Sequence, residues 1–85
     1  MSVRLIEGGR VELSGRCSIE DAEVLLRHLI ADPRRGIEWS TCEHLHCAVL
    51  QVLLAARPPV SGTPTDAFLS QHIAPLLQSN PNRNP

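Results

Sequence analysis

The sequence predicts one mixed α/β domain, with a sheet of about four strands and helices mainly on one face. Extended and helical runs follow one another in the order ββαβαβα. Strands that alternate with helices favour parallel pairing through right-handed crossovers. The chain has 85 residues, and a chain of this size buries enough surface for a single core. We therefore predict one domain over residues 1–77 and a polar, proline-rich, disordered tail over 78–85.

The chain opens with two extended runs, Val3–Ile6 and Val11–Leu13, with a Gly-Gly pair between them. Both glycines can adopt positive φ, which is typical of a two-residue β-hairpin turn. We predict an antiparallel hairpin whose outer face carries Arg4 and Glu12.

A first helix is predicted between Ser18 and Pro33. Ser18 is a typical N-cap, Asp21 stands where a shortened capping box has its acidic residue, and Pro33 ends the helix. Glu23 and Arg27 are spaced for an i,i+4 ion pair. The apolar residues recur at helical spacing and predict a buried stripe: Ala22, Leu25, Leu26, Leu29 and Ile30.

The middle of the chain predicts a strand, a polar turn and a very apolar helix. Ile37–Ser40 is the strand, Thr41–His46 the turn and Cys47–Arg57 the helix, with Gln51 as its one strongly polar residue before Arg57. A helix this apolar is buried on most sides or offered to a partner. The turn lies beyond the carboxyl end of a strand, where α/β proteins place functional groups.

The last third predicts a short strand and a helix. Val60–Ser61 is the strand, Thr65 the N-cap, and Pro75 a kink or an end to the helix. The predicted apolar stripe contains Phe68, Leu69, His72, Ile73, Leu76 and Leu77.

The residues from Glu38 to Ala56 resemble the STAS domain shared by anti-sigma-factor antagonists and the cytoplasmic tails of sulfate transporters. Trp39-Ser40 matches a Leu-Ser pair of that family, Leu50 matches the Leu of its Asp-Ser-Ser-Gly-Leu turn, and 53–56 matches its Leu-Leu-Ala-Ala helix end. The element order agrees from Val3 to Leu77. The resemblance implies a non-enzymatic regulatory module that binds a bacterial signalling protein, such as an anti-sigma-type kinase, a chemotaxis or two-component partner, or a second copy of itself.

The family turn is altered in this chain. His46, Cys47, Ala48 and Val49 stand where the family has Asp, Ser, Ser and Gly. The second serine is the one that antagonists expose for phosphorylation, and Ala48 has no hydroxyl. The nearest hydroxyls are those of Ser40 and Thr41. Loss of the aspartate is also expected to remove an N-cap and to lessen the repulsion of anions, which would admit a different ligand.

The resemblance and the outward position expected for Gln51 predict a partner-binding surface around the turn. Its residues are Glu43, His44, His46, Cys47, Ala48 and Gln51. Self-association through this surface is an equal candidate to a heteromeric partner.

An alternative interpretation is a metal- or redox-sensing domain. Cys42, His44, His46 and Cys47 form a C-x-H-x-H-C run. Zinc usually takes four ligands from two separated pairs, and this run supplies no second pair. Cys47 with His44 could also form a nucleophile and base, but no acidic residue is assured to orient the histidine. We predict no catalytic residue, no metal and no cofactor.

Composition narrows the range of partners. The chain has eight arginines and nine aspartate and glutamate residues. This nearly neutral balance argues against a nucleic-acid surface. The longest apolar run is too short to span a membrane. Three cysteines without a preceding signal-peptide pattern favour a reduced, cytoplasmic compartment.

Overall fold

A computed structural model describes residues 2–78. It confirms the predicted fold class, a mixed α/β domain. The strands are β1 (Val3–Leu5), β2 (Val11–Leu13), β3 (Gly15–Cys17), β4 (Ile37–Glu38), β5 (Cys42–Leu45) and β6 (Val60–Ser61). The helices are α1 (Ile19–Ala31), α2 (Cys47–Ala56) and α3 (Ala74–Gln78), with a π-helical turn, Leu69–Ile73, directly before α3. The predicted disordered tail lies outside the described residues, apart from the backbone of Gln78.

The main sheet has four strands in the order β1-β2-β4-β6. β1 and β2 are antiparallel, and β2, β4 and β6 are parallel to one another. Ile37 of β4 lies opposite Val11 on one side and Val60 on the other. The predicted mixed sheet and its β4 and β6 strands are therefore confirmed, although β4 ends at Glu38 rather than at Ser40.

The two faces of the main sheet differ. Val3, Val11, Leu13 and Ile37 are buried on the face that the helices cover. On the outer face, Arg4 and Glu12 form an ion pair at 2.6 Å, as register partners on adjacent strands can. The predicted polar outer face is confirmed.

The loop between β1 and β2 is longer than the predicted two-residue turn. Glu7–Gly9 forms a 3₁₀ turn, and the Ile6 N–H donates to the Arg10 carbonyl at 2.8 Å. Gly8 and Gly9 do have positive φ, 80° and 77°. The prediction was right about the positive φ of both glycines. It was wrong about the length of the turn, because the 3₁₀ turn also includes Glu7.

Helix α1 begins as predicted. The Ser18 N–H donates to the buried Asp21 carboxylate at 2.7 Å, and the Glu23–Arg27 pair is at 2.9 Å. Ala22, Leu25 and Leu29 are buried, whereas Leu26 is 43% exposed and Ile30 70% exposed. The predicted stripe is therefore wrong at Leu26 and Ile30, because no element of residues 2–78 buries them.

The predicted turn Thr41–His46 is largely a strand. Residues 42–45 form β5, which pairs in parallel with β3 in a second, two-stranded sheet that we call the β3–β5 ladder. Arg16 lies opposite His44, and Cys17 lies opposite Leu45. Glu43 is the extra residue of a β-bulge.

The third helical region is irregular. Its cap is Asp66, not the predicted Thr65, because the Asp66 carboxylate accepts from the Leu69 N–H at 3.0 Å. The π-helical turn ends where the Ala74 N–H donates to the Leu69 carbonyl, immediately before Pro75. Pro75 has no N–H and cannot continue a regular ladder. Leu69, Ile73 and Leu77 are buried, but Phe68 and Leu76 are exposed, so the predicted stripe holds only in part.

The core lies between the main sheet and the helices, and Trp39 is its largest fully buried side chain. The Trp39 indole N–H donates to the Gly62 carbonyl at 3.1 Å. Within residues 2–78, no helix is both long and apolar enough to cross a bilayer.

Candidate functional site

The β3–β5 ladder positions the start of α2 beside the start of α1. β3 leads into α1 and β5 leads into α2, and because the two strands are parallel, both helices begin at the same edge. The His46 N–H donates to the Cys17 carbonyl at 2.9 Å, which joins the two chain segments at that edge. The predicted site therefore has neighbours, Arg16 and Ser18, that sequence analysis did not identify.

His46 is the N-cap of α2. Its Nδ1 accepts a hydrogen bond from the Ala48 N–H at 3.0 Å. The expectation that loss of the family aspartate removes the cap is thus wrong, because an imidazole nitrogen serves as the acceptor instead. A neutral ring that accepts at Nδ1 carries its proton on Nε2.

The same contact bears on Cys47 as a nucleophile. The Cys47 Sγ lies 3.8 Å from His46 Nδ1. The lone pair of Nδ1 already faces the Ala48 N–H, so the ring is poorly placed to take the proton of the thiol. His46 therefore does not serve Cys47 as a free base.

Two grooves flank α2. The first, which we call the α1 groove, lies between α1 and α2 and has a volume of about 610 Å³. Its lining is apolar apart from Glu23 and Gln51, and the large exposed residues are Ile19, 56% exposed, and Leu26, 43% exposed. On the α2 side, the small residues Ala48, Ala55 and Ala56 line the groove together with Gln51 and Val52.

The second, which we call the C-terminal groove, lies between β5, α2 and the third helical region, with a volume of about 460 Å³. Leu45, Leu50, Leu69 and Ile73 supply its apolar lining. Its polar lining comes from Arg16, Glu43, His44, Cys47 and Asp66. Phe68 also lines this groove, is 61% exposed and packs on His72, with 5.4 Å between ring centroids.

The structure divides the six residues predicted for partner binding between different surfaces. Glu43, His44 and Cys47 line the C-terminal groove, whereas Ala48 and Gln51 line the α1 groove. His46 and His44 line a third, smaller cavity beside Arg16 and Ser18. Gln51 is exposed, as predicted. Sequence analysis missed the exposed Ile19 and Leu26, although the apolar residues of α1 span more than one stripe, which was a usable signal.

The four residues of the C-x-H-x-H-C run do not converge. Cys42 is fully buried, Cys47 is exposed, and the His46 Nδ1 is engaged in the cap. Within residues 2–78, no three side chains of His, Cys, Asp or Glu form a group that could hold a metal ion. The bulge at Glu43 places Cys42 and His44 on different sides of β5, and the chain then changes direction into α2.

The three thiols occupy two kinds of environment. Cys17 and Cys42 are buried in the core, and a hydrogen bond with Cys42 together with burial raises the pKa of Cys17 above its ordinary value. Cys17 therefore remains a protonated thiol. Cys47, at the first position of α2, is the exposed cysteine of the three.

No family model, no curated protein and no solved structure matches this chain. The fold and the geometry around α2 therefore carry the functional argument.

Proposed function

We propose that the chain is a non-enzymatic regulatory protein-interaction module of the cytoplasm, similar to an anti-sigma-factor antagonist. It binds a bacterial signalling protein through the α1 groove. The observation that supports this proposal is the exposure of Ile19 and Leu26 at the rim of a groove between two helices. Ile30, 70% exposed, extends the same side of α1.

The physical argument rests on the cost of leaving such a surface in water. Burial of apolar surface contributes about 25 cal/mol per Å², less the ordering costs of association. Grooves between helices suit an amphipathic helix, whose apolar side chains enter at helical spacing. Gln51, at the rim on α2, supplies an exposed amide that would hydrogen-bond to the correct partner.

The module works without phosphorylation at the start of α2. Ala48 has no hydroxyl, and the Ser40 hydroxyl donates to the Glu38 carboxylate. Mass spectrometry after incubation with a kinase identified as its partner is expected to find no stoichiometric phosphate. Stoichiometric phosphate on Ser40 or Thr41 would show that the switch has moved to another hydroxyl.

Substitution of Gln51 tests the surface. Gln51→Arg places a cation in the α1 groove, and Gln71→Arg makes the same change at an exposed position that lines neither groove. Both variants are expected to fold, since exposed positions tolerate charge. A signalling protein that co-purifies stoichiometrically with the full chain from its native cells is expected to be lost with Gln51→Arg and kept with Gln71→Arg.

Three results would contradict the proposal. Unfolding of Gln51→Arg by circular dichroism would show that the position belongs to the core. Equal binding by both variants would move the surface elsewhere, and turnover of a small substrate by the purified chain would make it an enzyme. Light scattering of the pure protein distinguishes a heteromeric partner from a homodimer, and a homodimer sensitive only to Gln51→Arg would identify the second copy as the partner.

A further inference from the structure

We propose that the cavity between the β3–β5 ladder and the start of α1 binds a small oxyanion, a phosphate or carboxylate group, with Arg16 as its counter-charge. The cavity has a volume of about 300 Å³, and Arg16, Ser18, His44 and His46 supply its polar lining. This inference is independent of what occupies the α1 groove.

Strand register brings the two main groups together. Arg16 and His44 are register partners on adjacent parallel strands, so their side chains project from the same face of the ladder. Cys17, the next residue, points into the core and is fully buried. The opposite, exposed face of the ladder is therefore a polar surface formed by Arg16 and His44 at the cavity.

Arg16 differs from the other arginines in residues 2–78. Arg4, Arg10, Arg27 and Arg34 each form an ion pair. Arg35 and Arg57 each donate to backbone carbonyl groups, of Gly9 and Leu76 among others. Within the described part of the chain, Arg16 forms no ion pair and its guanidinium donates no hydrogen bond. A guanidinium with all its donors available suits a carboxylate or phosphate, which it can bind through two parallel hydrogen bonds.

His46 supplies a second donor. Because its Nδ1 accepts from the Ala48 N–H, the proton of the neutral ring lies on Nε2, the ring nitrogen that the cap leaves available. The N-terminal ends of α1 and α2, which both begin at this edge, add a field that favours negative charge.

The nearby carboxylates oppose an anion only in part. The Asp21 carboxylate accepts from the Ser18 N–H and hydroxyl at 2.7 and 3.1 Å, and this cap offsets its charge. Glu43 and Asp66 line the C-terminal groove, which Arg16 and His44 also line, but neither carboxylate forms an ion pair with Arg16. Within residues 2–78, the Arg16 guanidinium is thus not ion-paired with a neighbouring carboxylate.

Nuclear magnetic resonance of the histidine rings tests the proposal. The full chain is titrated with inorganic phosphate and, in a second arm, with acetate, each against sodium chloride of matched ionic strength. Saturable shifts of the His44 and His46 signals are expected in at least one arm, and the arm that saturates identifies the anion. Arg16→Gln is expected to weaken binding about tenfold or more, the loss typical of a charge-assisted pair.

Arg27→Gln is the matched control, because it removes the same charge from the exposed surface of α1. Binding is expected to change less than about twofold there. Arg16→Lys is a second variant that keeps the positive charge but lacks the paired N–H donors of the guanidinium. Its affinity for the anion is expected to fall severalfold. Shifts that only follow ionic strength, equal losses in Arg16→Gln and Arg27→Gln, or full affinity in Arg16→Lys would each overturn the proposal.

Discussion

The four-stranded main sheet and the two-stranded β3–β5 ladder differ in the side chains that their two faces carry. The buried face of the main sheet carries aliphatic side chains, Val11, Leu13 and Ile37. The buried face of the ladder carries two small thiols, Cys17 and Cys42, while its other face carries Arg16 and His44. The main sheet therefore contributes aliphatic side chains to the core, whereas the ladder contributes two thiols and positions two helix starts and a polar cavity.

This comparison predicts that the largest loss of stability comes from the residue that joins the two sheets. Trp39 follows β4, and its carbonyl accepts from the N–H of Cys42 in β5 at 3.0 Å. Trp39→Ala is expected to lower the free energy of unfolding by about 3–5 kcal/mol, because it empties a fully buried site. Urea unfolding followed by circular dichroism measures this without the lost fluorophore.

Trp39→Phe is the control for that experiment. It keeps an aromatic ring but loses the hydrogen bond to the Gly62 carbonyl, so a smaller loss is expected. If Trp39→Ala cost less than about 1 kcal/mol, the core would not depend on this side chain.

The second largest loss of stability is expected at Gly62, at the end of the main sheet. Gly62 has a φ of 85°, and an added Cβ would overlap the Ser40 hydroxyl and lie 2.7 Å from the Glu38 carboxylate. Gly62→Ala is expected to cost about 1–3 kcal/mol.

The cost at Gly62 has two possible causes, backbone strain at positive φ and collision of the added Cβ with Ser40 and Glu38. Gly8→Ala separates these two causes. Gly8 has a similar φ, 80°, but a Cβ there would meet no atom within 4 Å. Its loss should be clearly smaller than that of Gly62→Ala in the same urea experiment. Equal losses would show that backbone strain alone sets the cost and that the collision with Ser40 relaxes freely.

The buried face of the ladder is expected to tolerate polar change poorly. Cys42→Ser puts a hydroxyl into a fully buried site and should cost about 1–2 kcal/mol in thermal unfolding. Cys47→Ser makes the same change at an exposed position and should fall within about 0.5 kcal/mol of the parent. Similar costs for both would remove the distinction between the two faces.

The smallest expected effect concerns the helix that the ladder positions. His46→Ala removes the acceptor for the Ala48 N–H and should cost about 1 kcal/mol. For a domain of this size, that loss lowers Tm by about 4–8 °C. His46→Asn, which offers a side-chain oxygen as a cap, should recover most of the Tm. A Tm for His46→Ala equal to the parent value would show that the cap contributes nothing.

Local signals were enough to predict most of the main sheet and the helices. The bounds of α1 follow from Ser18 and Pro33, and the positions of β1, β2, β4 and β6 along the chain follow from alternating extended and helical runs. These features depend on residues close together in the chain, whose capping, proline and periodicity effects act within a few residues. The outward position of Gln51 belongs with them, because helical spacing determines it.

Only the tertiary structure showed that β3 and β5 pair to form the ladder, and which residues surround it. β3 has three residues and its partner β5 lies more than twenty residues away, so neither shows a periodic pattern of its own. The same contacts decide which apolar residues of α1 remain exposed and which arginine keeps its donors free. Such properties depend on which surfaces meet in space, and a sequence specifies that only through long-range packing.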